Sequence, residues 1–139
     1  SLNVFNDHNI RFLQKLGLTK TTISPELTLQ DLKNIKNNYE VITYGKIPVM
    51  TNNYCFLGKS NKCYKDCKKK CLSENIFYLK DRMNSKYRII PDNTQTITTI
   101  FNNKPIDLNI TNQKNIRIDI LDETFEEIQN IINKKNRLF

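Results

Sequence analysis

The first fifty residues switch twice between an extended and a helical periodicity, and this constrains the fold more than any other feature of the chain. The run LNVF (residues 2–5) has the apolar density of a strand. Ile10, Leu13 and Leu16 then recur at helical spacing until Gly17, which suits the left-handed residue that ends a helix. TTIS (21–24) reads as a second strand, broken by Pro25. Thr28 and Asp31 resemble a capping signal ahead of Leu29, Leu32 and Ile35 on one helical face. A third strand is expected over 39–50 (YEVITYGKIPVM), with Gly45 and Pro48 where the chain must bend or end its pairing. Strand-helix-strand units require parallel strands, and parallel strands need helices over both faces.

From residue 76 the pattern becomes purely extended. Short strands are expected at 76–79, 86–90, 96–101, 105–110 and 115–121, arranged as a meander between polar turns. A final helix is announced by a capping box, Thr124 with Glu127, and carries Phe125, Ile128, Ile131 and Ile132 as one apolar stripe. The chain thus reads as strand-helix units (1–54), a cysteine and lysine segment (55–75), a β-rich part (76–121) and a helix (122–139). A complete barrel of eight strand-helix units takes about 250 residues, and this chain has 139. The expected class is therefore α/β: a partial TIM-like barrel made of terminal strand-helix units, with a β-rich insertion and a C-terminal helix. The N-terminal remainder of the barrel is then a partner. A small open α/β sheet with a β appendage is the alternative.

No apolar run approaches the roughly 20 residues of a membrane span. SLNVFNDHNI lacks the basic-then-apolar order of a secretory signal. A cytoplasmic protein with no membrane partner is the expectation. The net charge is +8, from 22 basic against 14 acidic residues. Much of it reflects a general richness in Lys, Asn and Ile, but Lys59, Lys62, Lys65, Lys68, Lys69 and Lys70 crowd around the cysteines with Asp66 alone in opposition. Lys62, Lys65, Lys68, Lys69 and Lys70 are the candidate anion or nucleic-acid contacts, with Tyr54, Phe56 and Tyr64 as stacking faces. The same aromatics would serve equally well packed beneath a loop.

The four cysteines, Cys55, Cys63, Cys67 and Cys71, follow the pattern C-x7-C-x3-C-x3-C. Disulfide frameworks belong to small secreted chains, so a metal site is favoured. On a helix, positions 63, 67 and 71 share a face, and the surrounding lysines offset the negative charge of clustered thiolates. The spacing permits zinc, and iron-sulfur clusters also take four cysteines. Acid-base catalysis has less to offer. The sole histidine, His8, stands beside Asp7 in a turn-like NDHN stretch, no HExxH motif occurs, and no pair among Glu26, Asp81, Asp119 and Glu123 is singled out.

LNVFN, LGLTKTTISPELTLQDL, VITYGKIPVMTNNYC, CYKDC, YLKDRMNSKYRIIPDN, TIFNNKPIDL and IRIDILDETFEEI, in this order and spacing, resemble the collagenase-like peptidases of unassigned mechanism, family thirty-two of the U-type peptidases. The resemblance covers almost the whole chain, but only about the C-terminal half of the family's core domain. It implies the last strands of a TIM-like barrel, a cysteine-bearing segment, a β-rich insertion and a closing strand and helix. Many relatives carry His-Gly where this chain has Tyr44 and Gly45, and a cysteine where it has Pro48 or Val49. Other relatives hold a cysteine-ligated iron-sulfur cluster and take part in hydroxylating RNA bases or a quinone precursor. The resemblance thus implies a peptide or an RNA substrate, and an iron-sulfur cluster at Cys55, Cys63, Cys67 and Cys71, with zinc as the alternative. A partial barrel by itself is expected to lack turnover, since a barrel site draws on several strand ends.

Overall fold

The computed structural model describes residues 3–57, 71, 76–92, 94–95, 97–110, 113 and 115–137. The chain divides into two compact units, Ser1–Gly45 with Ile106–Phe139, and Lys46–Pro105.

The first unit is built on short parallel pairings. Asn6 caps helix α1 (Asp7–Lys15) by accepting from the Asn9 N–H, and Ile10 and Leu13 face inward. Gly17, at φ +92°, ends the helix as expected. Its N–H donates to Gln14, and the N–H of Leu18 reaches the Leu13 carbonyl, the double bond of a Schellman cap. The extended stretch that follows joins Val4 through Ser24 N–H, and Thr22 bridges Glu40 in parallel. Thr28 and Asp31 form the expected capping box of helix α2 (Leu29–Lys33). The helix is only five residues long, so Leu32 is buried, Leu29 stays exposed and Ile35 meets the core from beyond the helix end. Val4, Ile10, Leu13, Ile23, Leu32, Tyr39 and Val41 form that core.

Strand β1 (Val41–Gly45) alternates buried and half-buried positions. The expected strand over 39–50 breaks at Gly45 and resumes as β2 (Pro48–Asn52), which pairs in a different sheet. Proline at the first position of β2 costs little, because β2 is the edge of its sheet.

The second unit carries a four-stranded antiparallel sheet in the order β2-β5-β4-β3, with β3 Phe77–Lys80, β4 Lys86–Asp92 and β5 Ile97–Phe101. Ile89 and Ile100 are buried and directly opposed. Thr98, fully buried, donates its hydroxyl to the Tyr54 carbonyl at 2.8 Å, so no polar atom is stranded there. Strands β3 to β5 are the expected meander, but the two strands that follow depart from it. β6 (Ile106–Asp107) pairs antiparallel with β1, and β7 (Ile116–Ile118) pairs parallel with β1 on the other side, giving the order β6-β1-β7 in the first unit. Alternation of apolar residues marks a strand without naming its neighbour, which is why the sequence pattern ran the five strands together.

Helix α3 (Phe125–Asn136) opens with the expected capping box. Its stripe is not the expected buried face: Phe125 and Ile132 are exposed, Ile128 and Ile131 half-buried, and the buried residue is Lys135. The architecture is mixed α/β, and no closed barrel forms among the described residues. None of their helices is long and apolar enough to cross a membrane.

Candidate functional site

Because β1 and β7 run parallel, their carboxyl ends lie together, bringing Tyr44 and Gly45 beside Ile118 and Asp119. Ligands of open parallel sheets bind at such ends. A bulge between Ile42 and Tyr44 interrupts the register against β7, a device that re-aims the side chain following it. The Tyr44 hydroxyl donates to Glu123 Oε1 at 3.2 Å. The other carboxylate oxygen of Glu123 accepts the backbone N–H groups of Leu121 at 2.7 Å and Asp122 at 3.1 Å, fixing the carboxylate in the turn before α3. Burial pushes the Tyr44 phenol up to about 12, reinforced by the charge and hydrogen bond of Glu123 and by the charges of Glu127 and Asp107. The phenol is therefore protonated at neutral pH and acts as donor to Glu123.

A second group stands beside it. Asp107 on β6 is the register partner of Tyr44, and it accepts from Lys134 and Lys135 in the last turn of α3. Lys134 and then Lys135 hold the Asp107 carboxyl below the usual carboxylate range. Lys135 also donates to the Leu108 carbonyl at 2.7 Å. On β7, Arg117 pairs with Asp119 at 2.5 Å.

The residues singled out from sequence fare differently. Asp7 accepts from the Lys36 and Asn37 N–H groups, so it ties the α2–β1 loop to α1 rather than orienting a base, and His8 is exposed in the first turn of α1. Asp81 holds the β3–β4 turn through the N–H groups of Met83 and Ser85. Glu26 is exposed after Pro25. Of the four carboxylates, Asp119 pairs with Arg117 and Asp81 accepts from the Tyr87 hydroxyl at 3.4 Å, while Glu123 is bonded at the carboxyl ends of the parallel strands to Tyr44, 79 residues away in sequence. That separation hid the pair, and Asp107 with Lys135 was hidden for the same reason.

Cys55 and Cys71 are half-buried. Cys63 and Cys67, and with them Lys62, Lys65, Lys68, Lys69 and Lys70, lie outside the described residues. Among the described residues no group of three or more His, Cys, Asp or Glu side chains is placed to hold a metal ion. A polar cleft of about 580 Å³ lies at the opposite end of the parallel strands, lined by Lys36, Asn37, Asn38, Tyr39, Gln113 and Asn115 among others. Its amides are engaged with one another and the backbone, Asn115 with Asn38 and Gln113 with the Tyr39 carbonyl. It offers shape without an acid-base pair, so the carboxyl ends remain the better candidate.

Compared with known families, the sequence matches Peptidase family U32 over residues 1–117. The chain belongs to this family. No curated protein and no solved structure matches it. The U32 match takes in Tyr44, Asp107 and all four cysteines and stops within β7, so Glu123, Lys134 and Lys135 lie beyond the matched residues.

Proposed function

We propose that this chain is the C-terminal part of a collagenase-like U32 peptidase domain, acting on peptide substrates once the N-terminal remainder of a TIM-like barrel is present. The observation that carries this reading is the family match over residues 1–117. The order of elements agrees with it. Parallel pairing of Thr22 with Glu40, just ahead of β1, with α2 between them, and of β1 with β7, followed by α3, supports it, the β-rich part standing between β1 and β7 as an insertion.

Cys55, Cys63, Cys67 and Cys71 form the donor set of a metal site in this proposal. Four thiols suit an iron-sulfur cluster, with zinc as the alternative. A bound cluster would supply one-electron chemistry, and zinc would brace the segment. Lys62, Lys65, Lys68, Lys69 and Lys70 would offset the charge of the thiolates.

The test is peptide hydrolysis by the chain alone and by the complete barrel, both prepared without oxygen, with iron, sulfide and zinc measured in parallel. The expected result is turnover by the complete barrel, with metal that is lost on replacing Cys63 and Cys67 by Ser. Absence of turnover from a complete, metal-loaded protein would overturn the peptidase reading and leave cluster-dependent hydroxylation of RNA or a quinone precursor as the family chemistry to examine. Metal content unaffected by those replacements would overturn the four-cysteine site.

A further inference from the structure

We infer that Tyr44 and Glu123 form the proton-transfer pair of this domain, acting on a water molecule at the carboxyl end of β1. The assignment rests on the peptidase reading above and adds the groups that would do the chemistry. Neither the family match, which stops before Glu123, nor the sequence pattern pairs these residues.

Three independent features support it. The pair stands at the carboxyl ends of parallel strands, the end at which ligands of open parallel sheets bind. A bulge interrupts the β1–β7 register between Ile42 and Tyr44, next to the phenol, and bulges recur beside active sites, where they re-aim a side chain. Glu123 is immobilised by two backbone N–H groups on one oxygen, so its other oxygen presents a fixed acceptor to the phenol. A phenol that donates to a carboxylate has its oxygen lone pairs directed away from it, available to a donor such as water. Tyr44 is only half-buried, so a ligand can reach it. The charged groups acting on the phenol are Glu123 in the turn, Glu127 on α3 and Asp107 on β6, and Asp107 is itself bonded by the Lys134 and Lys135 ammonium groups of α3. Glu127 closes the α3 capping box, which leaves Glu123 as the carboxylate bonded to the phenol.

The step balances without a redox partner. The water oxygen forms a bond to the amide carbonyl carbon as its proton passes to the Tyr44 oxygen and the phenol proton passes to Glu123 Oε1. When the tetrahedral intermediate collapses and the C–N bond breaks, the proton returns by the same path to the leaving amine. Peptide and water become a carboxylic acid and an amine, and the pair ends as it began. General acid-base groups of this kind contribute about 100-fold to 10,000-fold in rate.

The test uses the complete protein that carries this chain, with Tyr44→Phe, Glu123→Gln and the double variant. Each single change is expected to lower kcat at least about 100-fold with KM little changed, and the double variant to be no slower than the worse single one, because the two act as a unit. Ultraviolet titration of the tyrosines supplies a readout independent of turnover: one phenol titrates near 12 in the parent and moves down in Glu123→Gln. Should Tyr44→Phe fail to fold, Glu123→Gln, whose single amide oxygen can still accept the Leu121 and Asp122 N–H groups while its NH2 donates to the phenol oxygen, is judged by the same measurements. Turnover in an active parent that survives both single changes overturns the pair while leaving the peptidase reading intact. An inactive parent overturns both.

Discussion

Lys135 and Asp107 tie the last turn of α3 to β6, with the ammonium 2.6 Å from one carboxylate oxygen. The lysine side chain is 2% exposed and the aspartate 39%, so the cation depends on Asp107 and the Leu108 carbonyl in place of water. Asp107→Ala removes the charged partner and leaves the cation buried. It is expected to cost about 2–4 kcal/mol, somewhat below the roughly 3–5 kcal/mol for breaking a fully buried pair, because Asp107 is partly exposed and the Leu108 carbonyl remains. Lys135→Met replaces the cation with an apolar chain of similar length and leaves Asp107 paired with Lys134, so it should cost less than about 1 kcal/mol. Urea unfolding of the parent and both variants checks that order; equal losses would mean that packing, not charge, holds the helix end.

The same aspartate sets an acid limit. Its carboxyl titrates below the ordinary range because Lys134 and Lys135 bond it, so its contribution is present above the unfolded value near 4 and is lost as pH falls through the lower, folded value. Asp107→Asn should flatten the fall of melting temperature between pH 5 and pH 2 relative to the parent. Because Asp107 is partly exposed, added salt should weaken the effect as well. Identical slopes in parent and variant would assign the acid limit to other groups, Asp7 and Asp31 being the next to consider.

At the alkaline end Tyr44 contributes, alongside Tyr39, whose phenol is also raised by burial. Burial and the nearby charge of Glu123 raise the Tyr44 phenol from 10 to about 12, so the unfolded chain ionises first and stability falls as pH rises across that interval. Tyr44→Phe should remove this share of the fall, and Glu123→Gln should reduce it by taking away a neighbouring negative charge. Unfolding free energies at pH 9 and pH 11 are the measurement. A parent and a Tyr44→Phe variant that lose stability equally over that interval would place the phenol in ordinary surroundings.

What could be read from sequence was local. The boxes at Thr28 with Asp31 and Thr124 with Glu127 each lie within one helical turn, and Gly17 ends α1 through bonds to residues at most five away. Strand existence was legible too, because alternation is a property of consecutive residues. Partner choice was not. Nothing in residues 105–121 distinguishes pairing with β1 from continuing the β3–β5 meander; the difference lies in β1 having two edges to fill. Lys135 is the clearest case. Helical periodicity assigned the buried face of α3 to Phe125 and its apolar companions, yet a cation occupies the buried position because an aspartate 28 residues upstream and the next residue's carbonyl receive it. The Tyr44–Glu123 pair is separated further still, and a carboxylate in a turn gives no local sign of its phenol.

Gly45 and Gly17 both have positive φ, +144° and +92°, but they differ in what surrounds them. A methyl group on Gly17 would meet nothing within 4 Å, so Gly17→Ala carries only the backbone penalty, about 1 kcal/mol. A Cβ on Gly45 would stand 2.7 Å from the Asp119 carbonyl oxygen and 2.8 Å from its Cβ. The first of these is backbone on the strand parallel to β1, which cannot yield without breaking the β1–β7 register. Gly45→Ala is therefore expected to cost more than about 3 kcal/mol, combining φ strain with steric conflict. Asp119→Gly removes the Cβ contact and leaves the carbonyl in place, so the double variant should remain nearly as unstable as Gly45→Ala. Thermal unfolding of the three variants checks this, and full rescue by Asp119→Gly would shift the cause from the strand backbone to the aspartate side chain. Because Tyr44 precedes this glycine, the close approach that demands Gly45 also fixes where the phenol begins, and Gly45→Ala should disturb the high titration of Tyr44 even in the fraction that stays folded.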